Sequence, residues 1–128
     1  LTSASLPDSI YLKVKTNKGD NMTTQKCEDR IATEWGDRKE SISALNDWEI
    51  REYPLCFDYV EANTFGEHEA YHRFQMSWGG PSDEIRFYEL KKGYVYRVTY
   101  AFLDWYDGAE IDITKDAISE RLRKIYNV

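Results

Sequence analysis

The chain has 128 residues, a hydrophobic share of 41% and a formal net charge of −6. That length fits one domain and leaves little room for a second. The acidic field opposes nonspecific attraction to nucleic acid or an anionic membrane, and no apolar run reaches the roughly 18 residues a spanning helix needs.

Residues 1–9 are small and polar and read as a loose end. Ile10, Leu12 and Val14 then alternate with Tyr11, Lys13 and Lys15, the period of a strand. A turn cluster follows at residues 17–21, directly before Met22. Residues 1–21 are thus expected to form an N-terminal extension, and residues 22–128 a single α+β domain. From Thr24 the period changes. Cys27, Ile31 and Trp35 recur every fourth position, and Ile42 and Leu45 continue the stripe. This predicts a long amphipathic helix, capped by Thr23 or Thr24 and ending near Asn46-Asp47. Gly36 costs it about 1 kcal/mol relative to alanine, enough to kink or split it.

The middle of the chain is β-rich. Leu55, Phe57 and Tyr59 alternate with Cys56, Asp58 and Val60. From Tyr71 to Trp78 the alternation places His72, Phe74, Met76 and Trp78 on one face. Residues 79–83 (Gly-Gly-Pro-Ser-Asp) are a strong turn, because glycine admits positive φ and Pro81 removes a ladder donor. Ile85 to Leu90 is the return strand. After a turn at Lys91-Lys92-Gly93, Tyr94 to Tyr106 is the longest predicted strand. Tyr94, Tyr96, Val98, Tyr100 and Phe102 share one of its faces. Asp107-Gly108 signals a turn, Ile111 and Ile113 a short strand. A second helix starts at Thr114 with Ile118, Leu122 and Ile125 on one stripe. Short turns favour antiparallel pairing. The expected fold is α+β: an antiparallel sheet of about four to five strands, a long N-terminal helix and a C-terminal helix, both helices covering one face.

Cys27 and Cys56 match no zinc or redox spacing and read as small buried thiols in a reducing compartment. His68-Glu69-Ala70-Tyr71-His72 matches H-E-x-x-H. On a helix it sets two imidazoles one turn apart for zinc, with Glu69 as the base that activates a metal-bound water. On a strand the imidazoles stand about 13 Å apart at roughly 3.3 Å per residue, too far to share one ion. Zinc hydrolysis through His68, Glu69 and His72 is one expectation; no bound cofactor is the other. Asp83, Glu84, Asp104, Asp107, Glu110 and Asp112 supply carboxylates around two turns, either a contact surface for a basic partner or ordinary solvated edges. Trp78 and Trp105 are candidate aromatic anchors beside them. Neither a nucleophile elbow nor a phosphate-binding glycine loop is present.

Residues 73–88, Arg-Phe-Gln-Met-Ser-Trp-Gly-Gly-Pro-Ser-Asp-Glu-Ile-Arg-Phe-Tyr, and 102–109, Phe-Leu-Asp-Trp-Tyr-Asp-Gly-Ala, resemble a family of small uncharacterised proteins carried by bacteriophages and plasmids. Residues 34–38 and 57–60 fit the same pattern, which spans about residues 22–113 and does not include the two histidines. The resemblance implies a mobile-element protein in the bacterial cytoplasm, of anti-restriction or anti-CRISPR type. Such a protein binds a host protein or ribonucleoprotein complex directed at nucleic acid and makes no direct contact with nucleic acid or membrane. The family supplies no catalytic residues. The expected function is non-enzymatic inhibition through an acidic surface. A regulator that binds another protein of its own element is the remaining reading.

Overall fold

The computed structural model describes residues 26–128. The strand expected at residues 10–15, the cap at Thr23 or Thr24 and the extension 1–21 lie outside the described residues. Helix α1 spans Cys27–Ser43 and buries Cys27, Ile31, Trp35 and Ile42, the stripe read from the sequence. Gly36 does not split it, for the helix runs unbroken through that position. The turn of the chain comes after Ser43, where a short helix α2, Asp47–Glu52, begins. Asn46 caps α2 by accepting the Glu49 N–H, and the Glu49 carboxylate accepts the Asn46 N–H in return. That reciprocal box, legible as Asn-x-x-Glu, starts a new helix where the old one was expected only to stop.

Five strands follow: β1 Cys56–Val60, β2 Tyr71–Ser77, β3 Ser82–Lys91, β4 Tyr94–Asp104 and β5 Asp107–Asp112. They form one antiparallel sheet in the order β1-β2-β3-β4-β5. Helix α3, Ala117–Tyr126, closes the chain, with Asp116 as its N-cap. The hairpin between β4 and β5 turns at Trp105-Tyr106, because Asp104 pairs with Asp107. Asp107-Gly108, expected as the turn, instead opens β5. The turn thus uses no glycine, and Trp105 takes the left-handed backbone at φ 58°. For a bulky L-residue that conformation costs roughly 1 kcal/mol.

The helices cover one face of the sheet. Phe74, Ile85, Phe87, Val98, Tyr100, Phe102 and Ile111 point toward them and join the α1 stripe, Ile118 and Leu122 in one core. Burying such a side chain contributes about 1.5–3 kcal/mol, so this layer carries the stability of the domain. It also leaves the opposite sheet face to other chemistry.

Candidate functional site

Strand register fixes what the second face carries. Residues paired across neighbouring strands share a face, so the pairings read as rungs. One rung runs Asp58, Arg73, Arg86, Thr99, Asp112 across all five strands. The next runs Cys56, Gln75, Glu84, Ala101, Glu110. A third runs Val60, Tyr71, Tyr88, Arg97. This face is polar and charged at its centre, yet Glu84, Arg86, Tyr88 and Thr99 are all buried.

Residues 61–70 form a strap beside this face. Asn63, Phe65 and Gly66 all have positive φ and curl it. Two carboxylates tie it down. Glu67 takes a 3.3 Å contact from the Arg86 guanidinium, and Glu69 a 3.0 Å hydrogen bond from Arg97, with Tyr96 donating to Glu69 as well. Between strap and sheet lies a cavity of about 480 Å³, lined among others by Phe65, Glu67, Trp78, Glu84, Arg86 and Glu110.

Its electrostatics follow from the same contacts. Arg73 forks onto Asp58 at 3.0 and 2.7 Å. Arg86 donates to Glu84 at 2.6 Å and to the Tyr88 hydroxyl at 3.1 Å, with Glu110 at 3.8 Å. Tyr88 and Thr99 hydroxyls both donate to Glu110. Burial disfavours the Arg86 charge, but Glu84 and Tyr88 outweigh it and hold Arg86 above its ordinary value. Burial, then the hydrogen bond to Glu110, pushes the Tyr88 phenol up. Arg86 is therefore a fixed cation and Tyr88 a fixed donor. Four carboxylates, Asp58, Glu67, Glu84 and Glu110, face two guanidinium groups, Arg73 and Arg86. Two negative charges are left over, and Asp58, Glu67 and Glu110 all reach solvent.

The carboxylates singled out by sequence divide between the two faces. Asp83 is 2% exposed on the helix side. It accepts both arms of Arg38, at 2.7 and 2.9 Å, the Tyr100 hydroxyl at 2.6 Å and the Ser77 hydroxyl. Glu84 is 3% exposed under Arg86. Both were expected as contact carboxylates; burial removes them from any surface and makes them internal partners of arginines. Asp104 holds Arg30 at 2.7 Å, and Asp107 accepts the Cys27 N–H at 2.6 Å, so both fasten the start of α1 to the β4–β5 hairpin. Burial, with Asp107 adding to it, raises the Cys27 thiol to about 11. Cys56 is only partly buried, not enclosed as expected. Asp112 is exposed and accepts the Thr114 N–H. Of the six, Glu84 and Glu110 line the cavity, and of these two Glu110 alone keeps part of its side chain in solvent. Trp78 lines it too, 76% exposed; Trp105, 87% exposed, lines a smaller groove of about 410 Å³ together with Trp78.

The H-E-x-x-H segment is not helical. His68 lies exposed in the strap and His72 in β2. His72 Nε2 sits 3.1 Å from Glu89, its ring parallel to Phe57, while Glu69 is held by Arg97 and Tyr96. The one-turn spacing of two imidazoles, on which zinc chemistry through this motif depends, is not formed. Among the described residues no group of three or more His, Cys, Asp or Glu stands together as a candidate metal centre, and no helix is long and apolar enough to cross a membrane.

Asp58, Phe65, Glu67, Arg73 and Arg86 were not singled out by sequence. Period two does place Arg73 and Arg86 opposite Phe74 and Phe87, a charge at mid-strand on the face away from the core. That was the available signal. Comparison with family models, with curated proteins and with solved structures gives no match to this chain.

Proposed function

We propose that this chain is a non-enzymatic protein-binding inhibitor that takes a basic partner on the polar face of its sheet. The observation that carries this reading is the charge balance around the cavity: four carboxylates, Asp58 beside it and Glu67, Glu84 and Glu110 lining it, against the two guanidinium groups of Arg73 and Arg86, at a site whose edges are the exposed rings of Phe65 and Trp78. Carboxylates in excess of guanidinium groups, beside exposed aromatics, complement a cationic surface and repel phosphate. The resemblance of residues 73–88 and 102–109 to phage and plasmid proteins supplies the class of partner: a host nucleic-acid-directed defence complex, whose Lys/Arg groove ordinarily holds phosphates. The contact residues under this reading are Glu110, Trp78 and Trp105 from the sequence, joined by Asp58, Phe65 and Glu67.

The test is co-purification from a bacterial host that carries the element. The wild-type chain should retain a basic protein, and Glu67→Gln with Trp78→Ala should release it while the fold persists. A partner retained equally by both variants, or one that masks the helix side instead, would place the function elsewhere.

A further inference from the structure

We infer that the ligand this face selects is a guanidinium group, so that the partner docks an arginine, not merely a positive charge, into the cavity under the strap. The inference rests on the basic-partner reading above and narrows it.

The chain seats its own arginines on this face in one repeated way. Arg73 lies over the Phe65 ring at 5.7 Å and forks onto Asp58. Arg86 lies over the Tyr71 ring at 4.9 Å and donates to Glu84. Arg97 lies over the Tyr88 ring at 4.1 Å and donates to Glu69. Each seat has the same two parts, a ring beneath and a carboxylate that accepts from the guanidinium. A guanidinium satisfies both at once, because it is flat, weakly hydrated on its faces and forked at its edge. An ammonium is a compact, strongly hydrated point charge and satisfies only the second.

One further pair of carboxylates, Glu67 and Glu110, shares the single guanidinium of Arg86, which Glu84 already engages. Glu67 from the strap and Glu110 from β5 both reach the cavity and keep part of their surface in solvent. Glu110 takes the Tyr88 and Thr99 hydroxyls on one oxygen, Oε2, and presents Oε1 toward Arg86 and the cavity. Trp78 supplies the exposed ring. The cavity volume of about 480 Å³ admits an arginine side chain with its backbone. The leftover negative charge favours a cation there and disfavours an anion.

The test is a calorimetric titration of the full chain with three blocked pentapeptides, carrying two arginines, two lysines or two citrullines. Citrulline keeps the shape of arginine and lacks its charge. The arginine peptide should bind, the lysine peptide several-fold more weakly, and the citrulline peptide not measurably. Trp78→Ala, an exposed ring whose loss leaves the core intact, should weaken the arginine peptide about two- to fivefold, the range of an exposed cation–ring contact. Glu110→Gln should weaken it as well, with thermal unfolding run alongside because Glu110 also holds Tyr88. Trp48→Ala, on α2 at the helix side, should change nothing. Equal binding of the lysine peptide overturns the guanidinium inference and leaves the basic-partner reading standing. Binding of none of the peptides overturns both. Arginine binding untouched by Trp78→Ala and Glu110→Gln places the seat elsewhere and overturns the inference.

Discussion

Arg73 and Arg86 occupy directly opposed positions on β2 and β3, two guanidinium groups facing each other across one rung of the sheet. Like charges so placed destabilise a sheet unless something neutralises them. Here Asp58 neutralises Arg73 from β1, and Glu84 neutralises Arg86 from the neighbouring rung. The two carboxylates differ in burial, since Glu84 is enclosed and Asp58 is about half exposed. Glu84→Gln should therefore cost about 2 kcal/mol, because it removes the buried charge that Arg86 donates to and leaves the guanidinium only the more exposed Glu67 and Glu110. Asp58→Asn should cost at most about 1 kcal/mol, as expected for a pair that water screens. Urea unfolding of the two variants measures the difference, and equal losses would mean that burial does not control the pair.

Asp83 separates the structural role of an acid from a binding role. Its carboxylate ties α1 to the sheet through Arg38, Tyr100 and Ser77. Burial, then the hydrogen bond to Asp83, drives the Tyr100 phenol up, so it remains a donor at any working pH. Asp83→Asn should lower stability by about 3 kcal/mol, since Arg38 and Tyr100 lose the charge they donate to. Binding of a basic partner per folded molecule should be unchanged. Reduced affinity at unchanged stability would restore Asp83 to the contact surface.

The elements of this fold were legible because each apolar set has one period. Cys27, Ile31 and Trp35 repeat at helical spacing; Phe74 and Phe87 alternate with charges at strand spacing. The antiparallel pairing of consecutive strands was legible from the short turns, but the register was not, and only register shows that Arg73 meets Arg86. The acids misled for a related reason. Clustered in sequence around two turns, Asp83, Asp104 and Asp107 looked like one exposed patch, yet alternation and the hairpin send them to the helix side, where arginines and a helix start absorb them. The real cavity draws Glu67 from a strap whose path no periodicity reveals.

Acid should weaken the end of the sheet that holds Glu89. Burial alone would raise this carboxyl, but hydrogen bonds from Gly93 N–H, His72 and Tyr59 outweigh burial and leave it below its ordinary value. A group whose folded pKa is depressed contributes stability above its unfolded value, about 4.3, and loses it as pH falls through the folded value. The wild-type chain should therefore lose stability steadily below about pH 4.3 from this site. Glu89→Gln should be less stable at pH 7 and show a shallower decline into acid. Parallel declines in denaturant titrations at pH 7 and pH 3 would remove Glu89 as a source of the acid sensitivity.

Trp105 tests whether the β4–β5 tip is kept for folding or for contact. Its backbone is left-handed and its ring is 87% exposed, next to a Tyr106 that is fully exposed. Asparagine tolerates left-handed backbone far better than tryptophan. If the ring served only the fold, through its packing over Gly80, Trp105→Asn would leave stability lower. Relief of the strained backbone should instead leave it unchanged or raise it by up to about 1 kcal/mol. The same substitution should weaken capture of a basic partner, because Trp105 and Trp78 line one groove. A variant that is more stable yet binds less well marks the tip as a site where contact is favoured over stability. Thermal unfolding and peptide titration on the one protein read both quantities, and a loss of stability without a loss of binding would assign Trp105 to the fold alone.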